Sequence, residues 1–109
     1  MATFMLLFVG RGADPEATDP QTAEFNQKWV EYMAGLAQSR QLRSGAPFES
    51  TGRVVGREGT SDLELNEIDI GGYVLLEADS LEAAEEIAGQ APHIALGGTT
   101  IVRPCIPVP

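Results

Sequence analysis

The sequence contains very little of several residue types that define common protein classes. Its 109 residues include one cysteine and one histidine, so an internal disulfide is impossible and a secreted, disulfide-stapled scaffold is excluded. For the same reason we expect no metal site, and we expect no cofactor. Basic residues are also few, at 7 Lys and Arg against 16 Asp and Glu, which leaves a formal charge of -9. This charge argues against nucleic acids and anionic membrane surfaces as partners.

Long apolar runs are absent as well. The chain begins with an apolar segment, but no basic region precedes it, and it is far shorter than the roughly 18 apolar residues of a membrane helix. We therefore expect a cytoplasmic protein without a membrane segment. The length and the 43% of hydrophobic residues predict a single globular domain over residues 1–109.

The acidic residues are unevenly distributed along the chain. Residues 1–57 carry six acids and six bases, whereas residues 58–109 carry ten acids and Arg103 as their one base. An acidic half of this kind either docks a basic partner or forms a solvated face that keeps the protein soluble.

Apolar periodicity predicts the order strand, helix, strand, strand, helix, strand. Residues 58–61 have the composition of a turn, and a change of alternation near Asn66 indicates a β-bulge. The predicted strands lie at 3–9, 73–78 and 99–103, with two weaker strand pieces at 42–48 and 53–57 for the third element, and the helices lie at 20–38 and 81–89.

Both predicted helices carry capping signals and an apolar face. Asp19 and Pro20 occupy the N-cap and first helical position of the first helix, and Asp79 with Ser80 caps the second. The apolar side chains of the first helix recur at helical spacing and form one stripe, which consists of Phe25, Trp29, Tyr32, Met33 and Leu36.

This order of elements predicts an α+β fold of the ferredoxin-like βαββαβ type, with a four-stranded antiparallel sheet and two helices on one face. Two helices cover only one face of such a sheet. A second copy of the chain is the simplest cover for the other face, so we expect a homodimer.

Residues 70–84 combine a Gly-Gly-Tyr strand with a Ser-Leu-Glu-Ala-Ala helix, and residues 97–104 read Gly-Gly-Thr-Thr-Ile-Val-Arg-Pro. With the apolar residues 4–8 and the helix around Phe25 and Trp29, these segments resemble the YCII-related family, particularly its DGPF-domain branch. The resemblance spans nearly the whole chain and implies a dimeric α/β barrel of the ferredoxin-like type. Members of that family include a ring-dechlorinating enzyme, and some are associated with sigma factors.

The chain departs from the family pattern at two places. The Asp-Gly-Pro-Phe signature of the branch is absent, because residues 60–63 read Thr-Ser-Asp-Leu. Narrower YCII proteins carry a histidine in the first helix and an Asp-Pro near the end of the second, a suggested catalytic pair. Here the corresponding positions are Lys28-Trp29 and Ala91-Pro92. The resemblance therefore implies a fold more strongly than an activity.

His93 and Arg103 are the candidate catalytic residues. His93 follows the second helix and is the one side chain whose ordinary pKa suits proton transfer near neutral pH. It is either a general base or ligand contact at a cleft, or a loop histidine that is exposed or bonded to the backbone. Arg103 either clamps a substrate carboxylate or pairs with Glu77 or Asp79.

Tyr73, Trp29 and Asp69 are candidate ligand-binding residues. The Tyr73 hydroxyl either donates to a substrate or is satisfied within the core. Trp29 either lines an aromatic pocket under the sheet or belongs to the core. Asp69 and Glu67 lie on the same side of a strand and either hold a proton or hard cation between them or protect a sheet edge.

Two function classes remain open from the sequence. The first is a small-molecule-binding domain or a cofactor-independent enzyme of the lyase or isomerase type, with a pocket between sheet and helices. The second is a non-catalytic, dimeric interaction or regulatory module that docks a partner through the glutamate-rich second helix. A closed, apolar pocket with convergent polar groups favours the first class, and a filled cleft with an exposed apolar patch favours the second.

Overall fold

In a computed structural model, residues 1–10, 18–64 and 69–108 are described, and they form six strands, two α-helices and one short 3-10 helix. Both predicted helices are confirmed with their boundaries. The elements are β1 (Ala2–Val9), α1 (Pro20–Gln38), β2 (Leu42–Pro47), β3 (Arg53–Gly56), β4 (Gly59–Asp62), β5 (Ile70–Ala78), α2 (Leu81–Gly89), the 3-10 helix (Pro92–Leu96) and β6 (Thr99–Pro104).

Four of the strands form the main sheet, in the spatial order β2-β5-β1-β6. Every neighbouring pair in this sheet is antiparallel. β1 and β2 follow each other in sequence but are not neighbours in the sheet. The chain passes from one to the other through α1, and β5 lies between them. The predicted ferredoxin-like α+β fold is therefore confirmed.

One face of the main sheet is buried beneath both helices. Side chains of β1 and β5 alternate between buried and half-buried, as expected for strands with one covered face, and Leu6, Val74 and Leu76 are fully buried. The small side chains of Ala84 and Ala88 bring α2 close to this face. The predicted stripe on α1 is confirmed as part of the core, through Phe25, Trp29, Tyr32, Met33 and Leu36.

The two helices begin where the capping residues predict. The Asp19 carboxylate accepts a hydrogen bond from the Thr22 backbone N–H at 2.9 Å, which satisfies one of the free donors of the first turn of α1. The Ser80 hydroxyl accepts from the Ala83 N–H at 3.1 Å and caps α2 in the same way.

The segment after β2 differs from the prediction. Residues 58–61 were expected to form a turn, but Gly59–Asp62 is a strand that pairs with β3 in a separate two-stranded hairpin. The hairpin turns at residues 57 and 58, and Gly59 adopts a positive φ of 125° where β4 begins. The predicted strand at 53–57 is present as β3, but all residues of this hairpin are exposed and β4 shows no apolar alternation by which it could be recognised. The bulge expected near Asn66 lies outside the described residues.

The opposite face of the main sheet, here called the open face, carries no helix in the described parts of the chain. Directly opposed residues of antiparallel strands share a face, so the register defines its rows of side chains. The two central rows are Arg103, Met5, Leu75 and Ser44, followed by Ile101, Leu7, Tyr73 and Ala46.

Candidate functional site

His93 lies in the 3-10 helix that connects α2 to β6. Its side chain is only 1% exposed, which places it among the most buried residues of the chain rather than in an open loop. The 3-10 helix ends at Gly97, which adopts the left-handed conformation with φ 89°, and the Gly98 N–H donates to the His93 carbonyl at 3.0 Å. This turn directs the imidazole toward the layer between the sheet and α1.

One nitrogen of the imidazole is bonded to the backbone. His93 Nε2 lies 2.7 Å from the Thr99 carbonyl oxygen and 3.4 Å from the Thr100 hydroxyl. A carbonyl oxygen only accepts, so Nε2 carries the proton and donates. The Thr100 hydroxyl donates its own proton to the Ala88 carbonyl at 3.3 Å, which leaves its oxygen free to accept from Nε2 as well.

The other imidazole nitrogen, Nδ1, is buried and has no hydrogen-bond partner among the described residues. With the proton on Nε2, Nδ1 of the neutral ring is an acceptor with an unused lone pair. A buried polar atom without a partner costs about 1–3 kcal/mol, and native proteins contain few of them.

The imidazole belongs to a cluster of aromatic rings. It stacks on Trp29 with ring centroids 5.4 Å apart and an interplanar angle of 27°, and it meets the edge of Phe8 at 5.4 Å. Phe8 and Trp29 pack edge to face at 5.0 Å, and Tyr32 packs edge to face against Trp29 at 5.8 Å. These separations lie within the range of favourable aromatic contacts.

Trp29 supplies a second unpaired atom. Its indole Nε1 is buried and, like His93 Nδ1, has no hydrogen-bond partner in the described chain. The indole N–H only donates, whereas Nδ1 accepts. The stacked pair therefore presents one unused donor and one unused acceptor in the same apolar layer, and we call this pair of atoms the Trp29–His93 site.

Tyr32 borders this site but its hydroxyl is already used. It donates to the Ile87 carbonyl at 2.8 Å, and burial raises the pKa of the phenol far above its ordinary value. Tyr32 therefore stays protonated at physiological pH and ties α1 to α2.

Two glycines allow the backbone to approach the imidazole closely. A Cβ on Gly98 would lie 2.5 Å from His93 Cδ2 and 2.8 Å from the Val9 carbonyl oxygen, which leaves no room for a side chain. Gly10 adopts a φ of 119°, and a Cβ there would lie 3.2 Å from the Gly98 Cα. The sequence contains these glycines, but the close approach of Gly10 to Gly98, which contacts His93, depends on segments distant in the chain.

Of the other candidate residues, Trp29 stacks on His93, whereas Arg103 and Tyr73 lie on the opposite face of the sheet. Arg103 is opposite Met5 and Tyr73 is opposite Leu7, so both belong to the open face, whereas His93 lies on the helix-covered side. The structure thus separates the two predicted catalytic residues by the thickness of the sheet. Tyr73 stacks on Phe48 at 5.9 Å, and its hydroxyl lies 3.5 Å from that of Ser44.

Asp69 and Glu77 also have definite places. Asp69 lies just ahead of β5, and its carbonyl accepts from the Gly10 N–H at 3.5 Å. Its expected partner Glu67 lies outside the described residues. Glu77 pairs with Arg43 rather than with Arg103, and this hydrogen bond lowers the pKa of the Glu77 carboxyl.

No set of three or more His, Cys, Asp or Glu side chains suited to a metal ion occurs within residues 1–10, 18–64 and 69–108. None of the helices in these ranges is long and apolar enough to cross a membrane.

Comparison with known proteins now assigns the family. The model of the YCII-related domain matches residues 5–108, and the chain therefore belongs to the YCII-related domain family. No curated protein matches the chain. The match does not distinguish the DGPF branch, which stays a prediction.

A solved structure shares the fold. The chain is similar to the 5-chloro-2-hydroxyhydroquinone dehydrochlorinase of Burkholderia phenoliruptrix AC1100, solved in complex with 2,5-dihydroxybenzoquinone. The match has a TM-score of 0.53 and 16% identity, and it covers 93% of this chain and 90% of the other. At this identity the likeness concerns the fold.

Proposed function

We propose that the chain binds a small organic molecule between the main sheet and α1, at the Trp29–His93 site. The observation that carries this proposal is the pair of buried polar atoms, Trp29 Nε1 and His93 Nδ1, for which the described chain supplies no partner. Buried polar groups in native proteins are nearly always satisfied, so such a pair points to a group that arrives from outside.

The surroundings of the two atoms favour a planar ligand. Small-molecule sites are mostly apolar and contain a few well-placed polar groups, and here Phe8 packs edge to face against both rings of the pair and Tyr32 against Trp29. The related dehydrochlorinase fold, solved with a hydroxylated quinone, supports an aromatic or quinone-like ligand of similar size.

His93 also supports a cofactor-independent lyase or isomerase activity in this proposal. A neutral imidazole whose Nε2–H is held by a carbonyl presents Nδ1 as a proton acceptor, the property a general base requires. His93 Nδ1 takes a proton from the bound molecule in this role. Arg103 and Tyr73 have no part in that step, because both occupy the open face.

We propose that two copies of the chain form a homodimer through the open face. The open face carries apolar side chains on neighbouring strands, among them Leu7 and Ile101, and Ile101 is 43% exposed. Large exposed apolar areas mark interaction surfaces, and a symmetric pair of sheets buries both copies of this face at once. We also propose that the dimer works in the cytoplasm.

The ligand proposal is tested by fluorescence, because Trp29 is the one tryptophan of the chain and lies in the site. Wild-type protein is titrated with substituted phenols, quinones and benzoates while Trp29 emission is recorded. We expect saturable quenching by at least one class, with binding weakened about tenfold or more in His93→Phe, which keeps a ring but loses Nδ1.

Tyr73→Phe is the matched control for this titration, since it removes one polar atom from an aromatic residue of the open face. We expect it to bind like the wild type. Failure of every compound to alter Trp29 emission contradicts the ligand proposal and favours the alternative, a non-catalytic module that docks a partner through the exposed carboxylates of α2, namely Glu82, Glu85 and Glu86.

A further inference from the structure

We infer that the ligand of the Trp29–His93 site presents a neutral hydroxyl group, which accepts a hydrogen bond from Trp29 Nε1–H and donates one to His93 Nδ1. This inference rests on the proposed function and specifies the chemistry of the group that is bound. It follows from the direction of each hydrogen bond around the two rings.

The imidazole has its donor and acceptor assigned by its neighbours. Because the Thr99 carbonyl accepts from Nε2 at 2.7 Å, the proton of the neutral ring is on Nε2 and Nδ1 can only accept. The Thr100 hydroxyl reinforces the same assignment, since it donates to Ala88 and has only its oxygen to offer Nε2. The ligand must therefore bring a donor to Nδ1.

The indole imposes the opposite requirement, because Trp29 Nε1–H can only donate. The ligand must therefore also bring an acceptor. The two rings stack with centroids 5.4 Å apart, so the two unpaired atoms belong to adjacent rings of one buried cluster. A single hydroxyl group is both donor and acceptor and meets both requirements.

Several other ligand groups satisfy only one of the two atoms. An ether, a carbonyl or a carboxylate accepts from Trp29 but faces the lone pair of His93 Nδ1 without a proton, and an ammonium group donates to Nδ1 but cannot accept from Trp29. A hydroxyl of a ligand and that of a water molecule have the same hydrogen-bonding chemistry, so the experiment must separate these two sources.

The charges near the site favour a neutral group. Arg43 and Arg103 lie on the open face, across the sheet from His93, and Arg43 is already paired with Glu77. Lys28 is on α1 but its ammonium is exposed and lies 3.8 Å from the Glu24 carboxylate. Among the residues that the structure describes, a carboxylate or phenolate buried beside Trp29 finds none of these three cations within the apolar layer, and an unpaired buried charge is strongly unfavourable.

The test compares three ring compounds of similar size on the wild-type chain, by quenching of Trp29 emission: phenol, which donates and accepts, anisole, which only accepts, and benzoate, which is anionic. We expect phenol to bind at least about tenfold more tightly than anisole and benzoate, the value of one hydrogen bond to a buried partner. In His93→Phe we expect the preference of phenol over anisole to disappear.

Each other outcome overturns the inference in a distinct way. Equal binding of phenol and anisole refutes the hydroxyl requirement but leaves the ligand proposal standing. Tighter binding of benzoate shows that the site takes anions. Absence of binding by all three compounds refutes the inference together with the proposed aromatic ligand. The wild-type comparison decides the matter even if His93→Phe does not fold.

Discussion

His93 and Trp29 contribute opposite hydrogen-bonding atoms to one buried aromatic cluster, and single residues around them determine that arrangement. The Thr99 carbonyl orients the imidazole, and Gly98 lets the backbone of the last connection pass against its edge. The geometry of the site therefore depends on residues that never touch a ligand.

Gly98→Ala tests this tight contact at the scale of one methyl group. The new Cβ would lie 2.5 Å from His93 Cδ2 and 2.8 Å from the Val9 carbonyl oxygen, and the backbone atom cannot move aside cheaply. We expect the variant to lose roughly 1–3 kcal/mol of unfolding free energy in urea denaturation, the usual cost of overpacking.

Gly35→Ala is the control for that substitution, because a Cβ at this position of α1 meets nothing within 4 Å. We expect it to gain up to about 1 kcal/mol from helix propensity. Equal unfolding free energies for the two variants would show that the connection yields easily and that His93 is not tightly held.

The residues of the site were only partly predictable from the sequence. His93 was recognisable as a candidate because it is the one histidine of the chain. Its burial could not be predicted, because it depends on tertiary packing against Trp29 and Phe8. Its separation from Arg103 depends on which face each residue occupies. The alternation of β6 alone does not show which face the helices cover.

At the scale of elements, local sequence signals predicted the helices and the strands of the main sheet. Asp19 and Ser80 act as N-caps as expected, because capping is decided within three residues of the chain. Of the β3–β4 hairpin, the sequence predicted β3 but not β4. The hairpin is held by cross-strand pairing, including the Arg53–Asp62 ion pair at 3.0 Å, and not by an apolar pattern that the sequence would show.

Ser80→Ala tests the cap of α2, the helix that leads directly into the connection holding His93. Loss of the hydroxyl leaves the Ala83 N–H without its side-chain acceptor, and we expect a loss of about 1 kcal/mol in unfolding free energy. Ser61→Ala, in the exposed strand β4, is the matched control and should change stability by less than about 0.5 kcal/mol. Similar effects of the two substitutions would contradict the capping role.

At the scale of the whole molecule, the two faces of the sheet have different proposed roles. The helix-covered face contains the Trp29–His93 site, and the open face presents apolar rows to whatever lies against it. The family membership over residues 5–108 and the shared fold do not determine how the chain assembles. The homodimer is therefore a proposal that measurements in solution decide.

Leu7→Glu tests the proposed homodimer. Leu7 lies on β1 in the middle of the open face, between Tyr73 and Ile101, so a carboxylate there would be buried against its symmetry mate. We expect light scattering after size exclusion to give twice the mass of one chain for the wild type and the mass of one chain for the variant.

Leu81→Glu is the control for the assembly experiment, because Leu81 lies on α2, away from the open face, and is 39% exposed. It should remain dimeric. A wild-type protein that elutes with the mass of a single chain at micromolar concentration would refute the dimer and leave the open face without its proposed cover.

The central claim is that Trp29 Nε1 and His93 Nδ1 await a hydroxyl group, and one NMR titration tests it most directly. Long-range proton–nitrogen correlations report the single imidazole and the single indole in the same sample. We predict that the free protein carries the imidazole proton on Nε2 and that phenol shifts His93 Nδ1 and Trp29 Nε1–H together, with the same saturation curve. A free protein with the proton on Nδ1, or signals that phenol leaves unmoved, would contradict the account.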